Sequence, residues 1–326
     1  MKSIRGAGCL ALLAFAFAVA PLGANAQATF PTKTVRILIG FAPGGPLDTI
    51  ARAIAPKLAD DLKQPVVVEN RAGASGVIAT ETLARSAPDG YTLILNGITH
   101  AILPALNPKL PFDTLKDFTA VSIVGYGPLL LAVHPSVPAT SLDQLLALAR
   151  AQPGKFSYAS AGNGTSPHIA VEMLKRAAKV YIVHLPYRGS APAIADVIAG
   201  HVPIVIDVGP SALPHIKSGR VRAIVVSGQK RLADLPEVPT LAEAGYPDAN
   251  LATWWGMFGP AQMPKAVVER LSLGFQRALQ DPEVRARFAT LGGDPVWTSP
   301  ERFDQILRTD IARFATVVKD AGIKAD

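Results

Sequence analysis

Most residue types that carry enzyme chemistry are scarce in this chain. The 326 residues include one cysteine, Cys9, so one chain can build neither a disulfide framework nor a multi-cysteine metal site. The six histidines, at 100, 134, 168, 184, 201 and 215, form no HExxH pattern and stand at no metal-ligand spacing with carboxylates. A GxSxG elbow is absent, as are the GxGxxG and GK[ST] loops of nucleotide sites. Charged residues make up only 17% and aromatics 6%, and the formal charge of +7 is spread without a dense basic run. That pattern argues against a nucleic-acid surface. No apolar run after residue 26 is long enough to cross a membrane as a helix.

What is present begins with a leader. Lys2 and Arg5 make a positive start, residues 10–20 are continuously apolar, and Ala24-Asn25-Ala26 is an A-x-A cleavage site. Residues 1–26 read as a signal peptide cleaved after Ala26, which also removes Cys9 and implies export to a bacterial periplasm. The remaining chain is long enough for two domains.

The stretch at 35–62 organises that remainder. Val35, Ile37 and Ile39 are β-branched in an apolar run, which reads as a strand. Phe41-Ala42-Pro43-Gly44-Gly45-Pro46 cannot extend it, and Pro46 suits a first helical position, where its missing N–H is harmless. Leu47, Ile50, Ala51, Ile54, Leu58 and Leu62 then recur at helical spacing. A strand at 66–68, a helix from 77 and a strand at 91–95 complete a βαβαβ pattern, which predicts a parallel sheet with its post-strand loops on one edge. Apolar runs at 118–126 and 129–133 flank Gly127-Pro128, the expected first crossing between domains. Ser141, with Gln144 three residues on, predicts a capped helix start. Three further strand–loop–helix units follow, and a strand at 253–258 returns the chain. The closing helices, near 265–279, 282–290 and 300–321, have no sheet of their own and must pack on the first one. The expected organisation is therefore 27–127 and 251–326 in one domain and 128–250 in the other.

Small-residue loops at 41–48, 70–76, 96–99, 160–168, 187–192 and 207–211 each follow an expected strand. Ordinary turn chemistry accounts for any one of them. Together they predict a cleft at the carboxyl ends of two sheets, lined by helix N-termini that favour a carboxylate or phosphate. Backbone N–H groups of the Gly44-Gly45 loop and the Gly164-Thr165-Ser166 loop are expected to converge on one acidic group. Asp48 is either a first-turn carboxylate or a ligand contact, and Asp207 carries the same ambiguity.

Several motifs carry a resemblance: Phe41 to Asp48 (FAPGGPLD), Val67 to Gly76 (VVENRAGASG), Pro88 to Leu93 (PDGYTL), Tyr158 to His168 (YASAGNGTSPH), Pro186 to Pro192 (PYRGSAP), Ser211 to Ile216 (SALPHI) and Leu235 to Thr240 (LPEVPT). In this order, along the whole mature chain, they resemble the Bug or TctC family of extracytoplasmic solute-binding proteins of tripartite tricarboxylate transporters. The resemblance implies an α/β, two-domain fold like type II periplasmic binding proteins, with small carboxylates bound between the domains. It also implies inner-membrane transporter subunits as partners and neither a cofactor, a metal nor catalysis. A monomer that does not itself span the membrane is expected. Carried over, the ligand loops are Phe41, Ala42, Pro43, Gly44, Gly45, Leu47 and Asp48 in the first domain, and Ser160, Asn163, Thr165, Ser166 and His168 in the second. Asp207 enters from another strand end, and Asn96 and Arg188 from the loops at 96–99 and 187–192. Leu47 stands where the family commonly has a polar residue, which tilts the expectation toward a monoacid with an apolar or aromatic body. A receptor for a membrane sensor, or a periplasmic hydrolase, is the alternative.

Overall fold

The computed structural model describes residues 30–228, 230–290 and 292–321; the expected leader lies outside them. The described residues form two five-stranded sheets with helices packed around them. The first sheet contains β1 (Val35–Ile39), β2 (Val66–Asn70), β3 (Thr92–Gly97), β4 (Phe118–Gly127) and β10 (Thr253–Pro260), in the order β2-β1-β3-β10-β4. The second contains β5 (Leu129–Val133), β6 (Ser157–Ser160), β7 (Val183–Pro186), β8 (Ile204–Val208) and β9 (Arg222–Val226), in the order β7-β6-β8-β5-β9.

The βαβ pattern predicts parallel pairing, and β1 does pair in parallel with β2 and β3, as β6 does with β7 and β8. Each sheet is nevertheless mixed. β10 runs antiparallel to β3 and β4, and β5 antiparallel to β8 and β9. The reason is the double crossing. Only Pro128 separates β4 from β5, so β5 enters the second sheet from the cleft, where the parallel strands of that sheet end. β10 re-enters the first sheet in the same way.

Local chemistry explains the helices. α1 (Pro46–Leu62) has Gly45 as its N-cap and proline at its first position, and Lys63 ends it in the left-handed region. Its inward face, Ile50, Ile54 and Leu58, is completely buried; cutting Leu58 back to alanine should cost about 2–5 kcal/mol. α2 (Val77–Ala84) follows β2. α3 (Thr99–Leu106) occupies residues whose sequence reads only as a loop start, because Pro104 and the short length mask its periodicity. α4 (Leu142–Ala151) has the expected cap: the Gln144 N–H donates to Ser141 Oγ, and Gln144 Oε1 accepts from the Thr140 N–H at 2.8 Å. α5 (Ser166–Ala178), α6 (Ser190–Ile198) and α7 (Gly209–Lys217) each start at the carboxyl end of a strand of the second sheet. The last three helices, α8 (Lys265–Gln280), α9 (Pro282–Thr290) and α10 (Pro300–Ala321), pack chiefly against α1, α3 and β4. Arg270 and Arg277 of α8 clamp the Asp61 carboxylate of α1, holding it below the usual carboxylate range.

Candidate functional site

Both sheets direct the carboxyl ends of their parallel strands at one cavity between them. The first sheet contributes Phe41 from the loop after β1 with Pro46 and Leu47 at the start of α1, Gly97 at the end of β3 and Thr99 just beyond it, and Thr253 and Trp255 from β10. The second contributes Ala161, Thr165, Ser166 and Pro167 around the start of α5, Ser190 from α6, and Asp207 with Val208 from the end of β8. Walls are mainly apolar. Among the described residues that line the space, Asp207 is the only formally charged one, and none is a lysine, arginine or histidine.

Trp255 ties the cavity to the Gly127-Pro128 crossing. A Cβ at Gly127, next to Pro128, would stand 2.4 Å from the Trp255 indole. Only glycine leaves room for the ring beside the crossing strand.

The β1–α1 loop is braced internally. Asp48 is only 4% exposed. Its Oδ2 accepts the Gly44 N–H at 3.0 Å and its Oδ1 the Arg52 Nε–H at 2.9 Å. Burial pushes this carboxyl up, but the Arg52, Gly44 and Asn70 hydrogen bonds outweigh burial and hold it below its ordinary value. Arg52 also reaches Asn70 Oδ1, and Asn70 Nδ2 donates to the Phe41 carbonyl. Gly44, at φ 79°, supplies the left-handed turn that this arrangement requires. The Gly44 N–H is thus spent on Asp48, and the Gly45 N–H lies 3.4 Å from the Ala42 carbonyl. Contrary to expectation, the glycine donors are used within the loop. The donors left over are the first-turn N–H groups of Leu47 and Asp48, which an α-helix does not satisfy.

A similar brace shapes the β6–α5 loop. Ser160 is fully buried, and its Oγ lies 2.6 Å from His184 Nε2 while accepting the Gly162 N–H. Thr165 Oγ1 donates to the Gly162 carbonyl at 2.7 Å, and the Gly164 N–H donates to His168 Nδ1. The His168 and His184 rings stack at 4.2 Å. Burial, aided by the nearby His168 and Lys175, lowers the His184 pKa to about 3, so this imidazole is neutral. The Ser160–His184 pair has no carboxylate behind it, since His184 Nδ1 is buried without a hydrogen-bond partner among the described residues. It is a strut for the loop and lacks the third member of a hydrolytic triad. With Gly164 spent, the first-turn N–H group of Ser166 and the Ser166 hydroxyl at the cavity wall are left for a ligand.

Of the residues expected to bind ligand, Phe41, Leu47, Thr165, Ser166 and Asp207 line the inner cavity. Asn163 and Arg188 line a second, adjoining depression that shares Phe41 and Ala161 with the cavity, beside Ser75 and Gly162. Asn96 turns into the core, donating to Thr80 Oγ1 and lying 3.4 Å from His100 Nδ1. Gly44, Asp48, Ser160 and His168 brace the loops. Ala42, Pro43 and Gly45 belong to the first loop without lining the cavity. Sequence reasoning does not single out Pro46, Thr99, Ser190, Val208, Thr253 or Trp255 as cavity residues. The first four lie within the small-residue loops, and Thr253 and Trp255 start the returning strand.

Contacts across the cleft are intimate. Ser75 Oγ donates to the Asn163 carbonyl at 2.6 Å. A Cβ on Gly189 would meet the Ala42 N–H at 3.3 Å, and one on Gly164 would meet Leu106 Cδ1 at 2.8 Å.

Asp207 differs from Asp48. It is 1% exposed. Its Oδ1 accepts the Ser190 hydroxyl at 2.6 Å and the Val208 N–H at 2.8 Å, whereas Oδ2 is buried with no hydrogen-bond partner among the described residues. Burial raises its pKa to about 6, against the pull of Ser190, the Val208 N–H and the nearby Ser211.

Two α/β lobes, two crossings and a cavity between the lobes define a two-domain solute-binding protein of the periplasmic kind. The profile of the tripartite tricarboxylate transporter family receptor, TctC, matches residues 50–323, and the chain belongs to that family. Protein BugT of Bordetella pertussis is 36% identical over 318 residues, covering 97% of this chain and 98% of BugT. The periplasmic binding protein BugD superposes with a TM-score of 0.88 at 31% identity, covering 90% of this chain and 99% of BugD. MatC from Rhodopseudomonas palustris, solved with bound malate, gives a TM-score of 0.85 at 34% identity, covering 89% and 100%. The family and these neighbours are solute-binding proteins, not enzymes. No helix among the described residues is long and apolar enough to cross a membrane.

Proposed function

We propose that this receptor is exported to the periplasm, captures a small monocarboxylate with an apolar body, and delivers it as a monomer to inner-membrane subunits of a tripartite transporter. The two lobes, 27–127 with 251–326 and 128–250, would close on the ligand about Pro128 and the returning segment before β10.

The observation that carries the reading is the make-up of the cavity. The first turns of α1 and α5 reach one space from opposite lobes at Leu47 and Ser166, whose N–H groups a helix does not satisfy, an arrangement suited to a carboxylate. Around them Phe41, Pro46, Leu47, Val208 and Trp255 offer apolar surface. With no cation among the described residues of the wall, a second carboxylate on the ligand would be desolvated without a counter-charge. A monoacid therefore fits better than a compact diacid such as the malate bound by MatC.

Calorimetry of the mature chain with straight-chain and aromatic monocarboxylates, their methyl esters and malate tests this. Acids should bind and their esters should bind far more weakly. Ser166→Ala should weaken the acid by about 1.5–3 kcal/mol, the range for a hydrogen bond to a charged group. Equal affinity for acid and ester, or malate binding more tightly than every monoacid, would overturn the reading.

A further inference from the structure

We infer that the ligand carries a hydrogen-bond donor remote from its carboxylate, and that this donor meets Asp207 Oδ2. A hydroxyl, an amide N–H or an ammonium would serve. The inference rests on reading the cavity as a carboxylate site and goes further by assigning the chemistry of the ligand's other end.

The position of Asp207 is unusual. β8 reads Ile-Val-Ile-Asp-Val, and all five residues are buried. A carboxylate in such a strand is costly unless it is paired and fully hydrogen-bonded. Here half of it is. Ser190 and the Val208 N–H are both committed to Oδ1, which leaves Oδ2 as the oxygen without a partner among the described residues, in a side chain that lines the cavity. Among the described residues, no basic side chain lines that cavity to neutralise it. Asp48 is the internal control. It too is buried near the cleft, but both its oxygens are used, by Gly44 and Arg52. A buried acceptor left open at a binding cavity, in a chain that elsewhere satisfies its buried aspartate, is completed by the ligand.

The charge sets the orientation. A ligand carboxylate beside Asp207 would face a like charge in a low-dielectric space. Its acid end therefore belongs at the first turns of α1 and α5, and its donor end at β8. A site built to hydrogen-bond a substrate group rejects the analogue lacking that group, because its own buried polar atom is then left unpaired.

The test uses matched triads at pH 8, with the ligand-free mature chain titrated by calorimetry. The probes are ω-hydroxy acids of four to eight carbons and 3- and 4-hydroxybenzoate, each with its deoxy parent and its methyl ether. In at least one triad the hydroxy acid should bind about 10- to 150-fold more tightly than both relatives, the value of a hydrogen bond to a charged group. In Asp207→Asn, Oδ1 keeps both its donors and Nδ2 replaces the open acceptor with a donor. The hydroxy acid should then lose its advantage over the methyl ether. Wild-type binding that ignores the donor in every triad would overturn the inference and leave the carboxylate reading standing. So would a preference that survives Asp207→Asn. If no acid of any triad binds, the carboxylate reading itself fails, and the inference with it.

Discussion

Replacing Asp207 by asparagine should also expose, without any ligand, what it costs to keep this carboxylate in the wall. Burial lifts the folded-state pKa of Asp207 to about 6 from an ordinary 3.8. Between those values the folded protein holds a proton that the unfolded chain has released. Raising the pH through that window therefore favours the unfolded chain. At about 1.4 kcal/mol for each pH unit of the window, the loss of stability comes to about 3 kcal/mol, absent below pH 4 and fully expressed above pH 6. Asparagine has no proton to release. Its unpaired Nδ2 carries a penalty of about 1–3 kcal/mol, but that penalty does not vary with pH. The variant should therefore gain about 3 kcal/mol on the wild type between pH 4 and pH 8. Urea unfolding followed by circular dichroism at a series of pH values across this range measures the difference, and all other titrating groups cancel in it. A stability difference that stays constant from pH 4 to pH 8 would refute the reasoning, since it would mean that Asp207 is solvated in the empty receptor.

Other outcomes can be checked in the same preparations. His100 sits among Phe112, Phe118 and Phe258, and burial lowers its pKa to about 3; the unfolded chain takes up a proton there first, so stability present above pH 6.5 should fall as the pH drops toward 3. His100→Phe should flatten that acid limb in urea titrations. Gly164→Ala places a Cβ against Leu106 across the cleft at a φ of +75°; it should cost roughly 1 kcal/mol in backbone strain and weaken ligand binding by more than its loss of melting temperature explains. Arg52→Ala removes a support of Asp48 and should loosen the Phe41 loop, lowering affinity while costing only about 1 kcal/mol of stability, because the Arg52 side chain is half exposed. A saturating ligand should reduce the radius of gyration in solution scattering; an unchanged radius with ligand bound would mean that the lobes do not close about their two crossings.

Much of this protein is legible without a fold. Strand–loop–helix units, the Ser141 cap, the Pro128 crossing and the returning strand at 253 all rest on periodicity and turn residues, which act over a few neighbours and are written locally. The clustering of small-residue loops at strand ends follows from the same signals. Strand direction does not. β5 and β10 run against their neighbours because each enters its sheet from the other lobe, a property of the path and not of their apolar runs. Nor can periodicity say which loop donors are free. The N–H groups of Gly44 and Gly164 are consumed by Asp48 and His168, each four residues ahead, and only folded backbone angles bring those acceptors back. The clearest division is between the two aspartates. In sequence Asp48 and Asp207 look alike, each near an apolar run and a helix start. In the fold, Arg52 and the Gly44 N–H complete Asp48, whereas the Ser190 hydroxyl and the Val208 N–H both go to one oxygen of Asp207 and the other oxygen has no partner within hydrogen-bond distance among the described residues. The number of partners a buried charge receives is set by distant pieces of chain meeting in space, and that is what separates a structural carboxylate from one left open to a ligand.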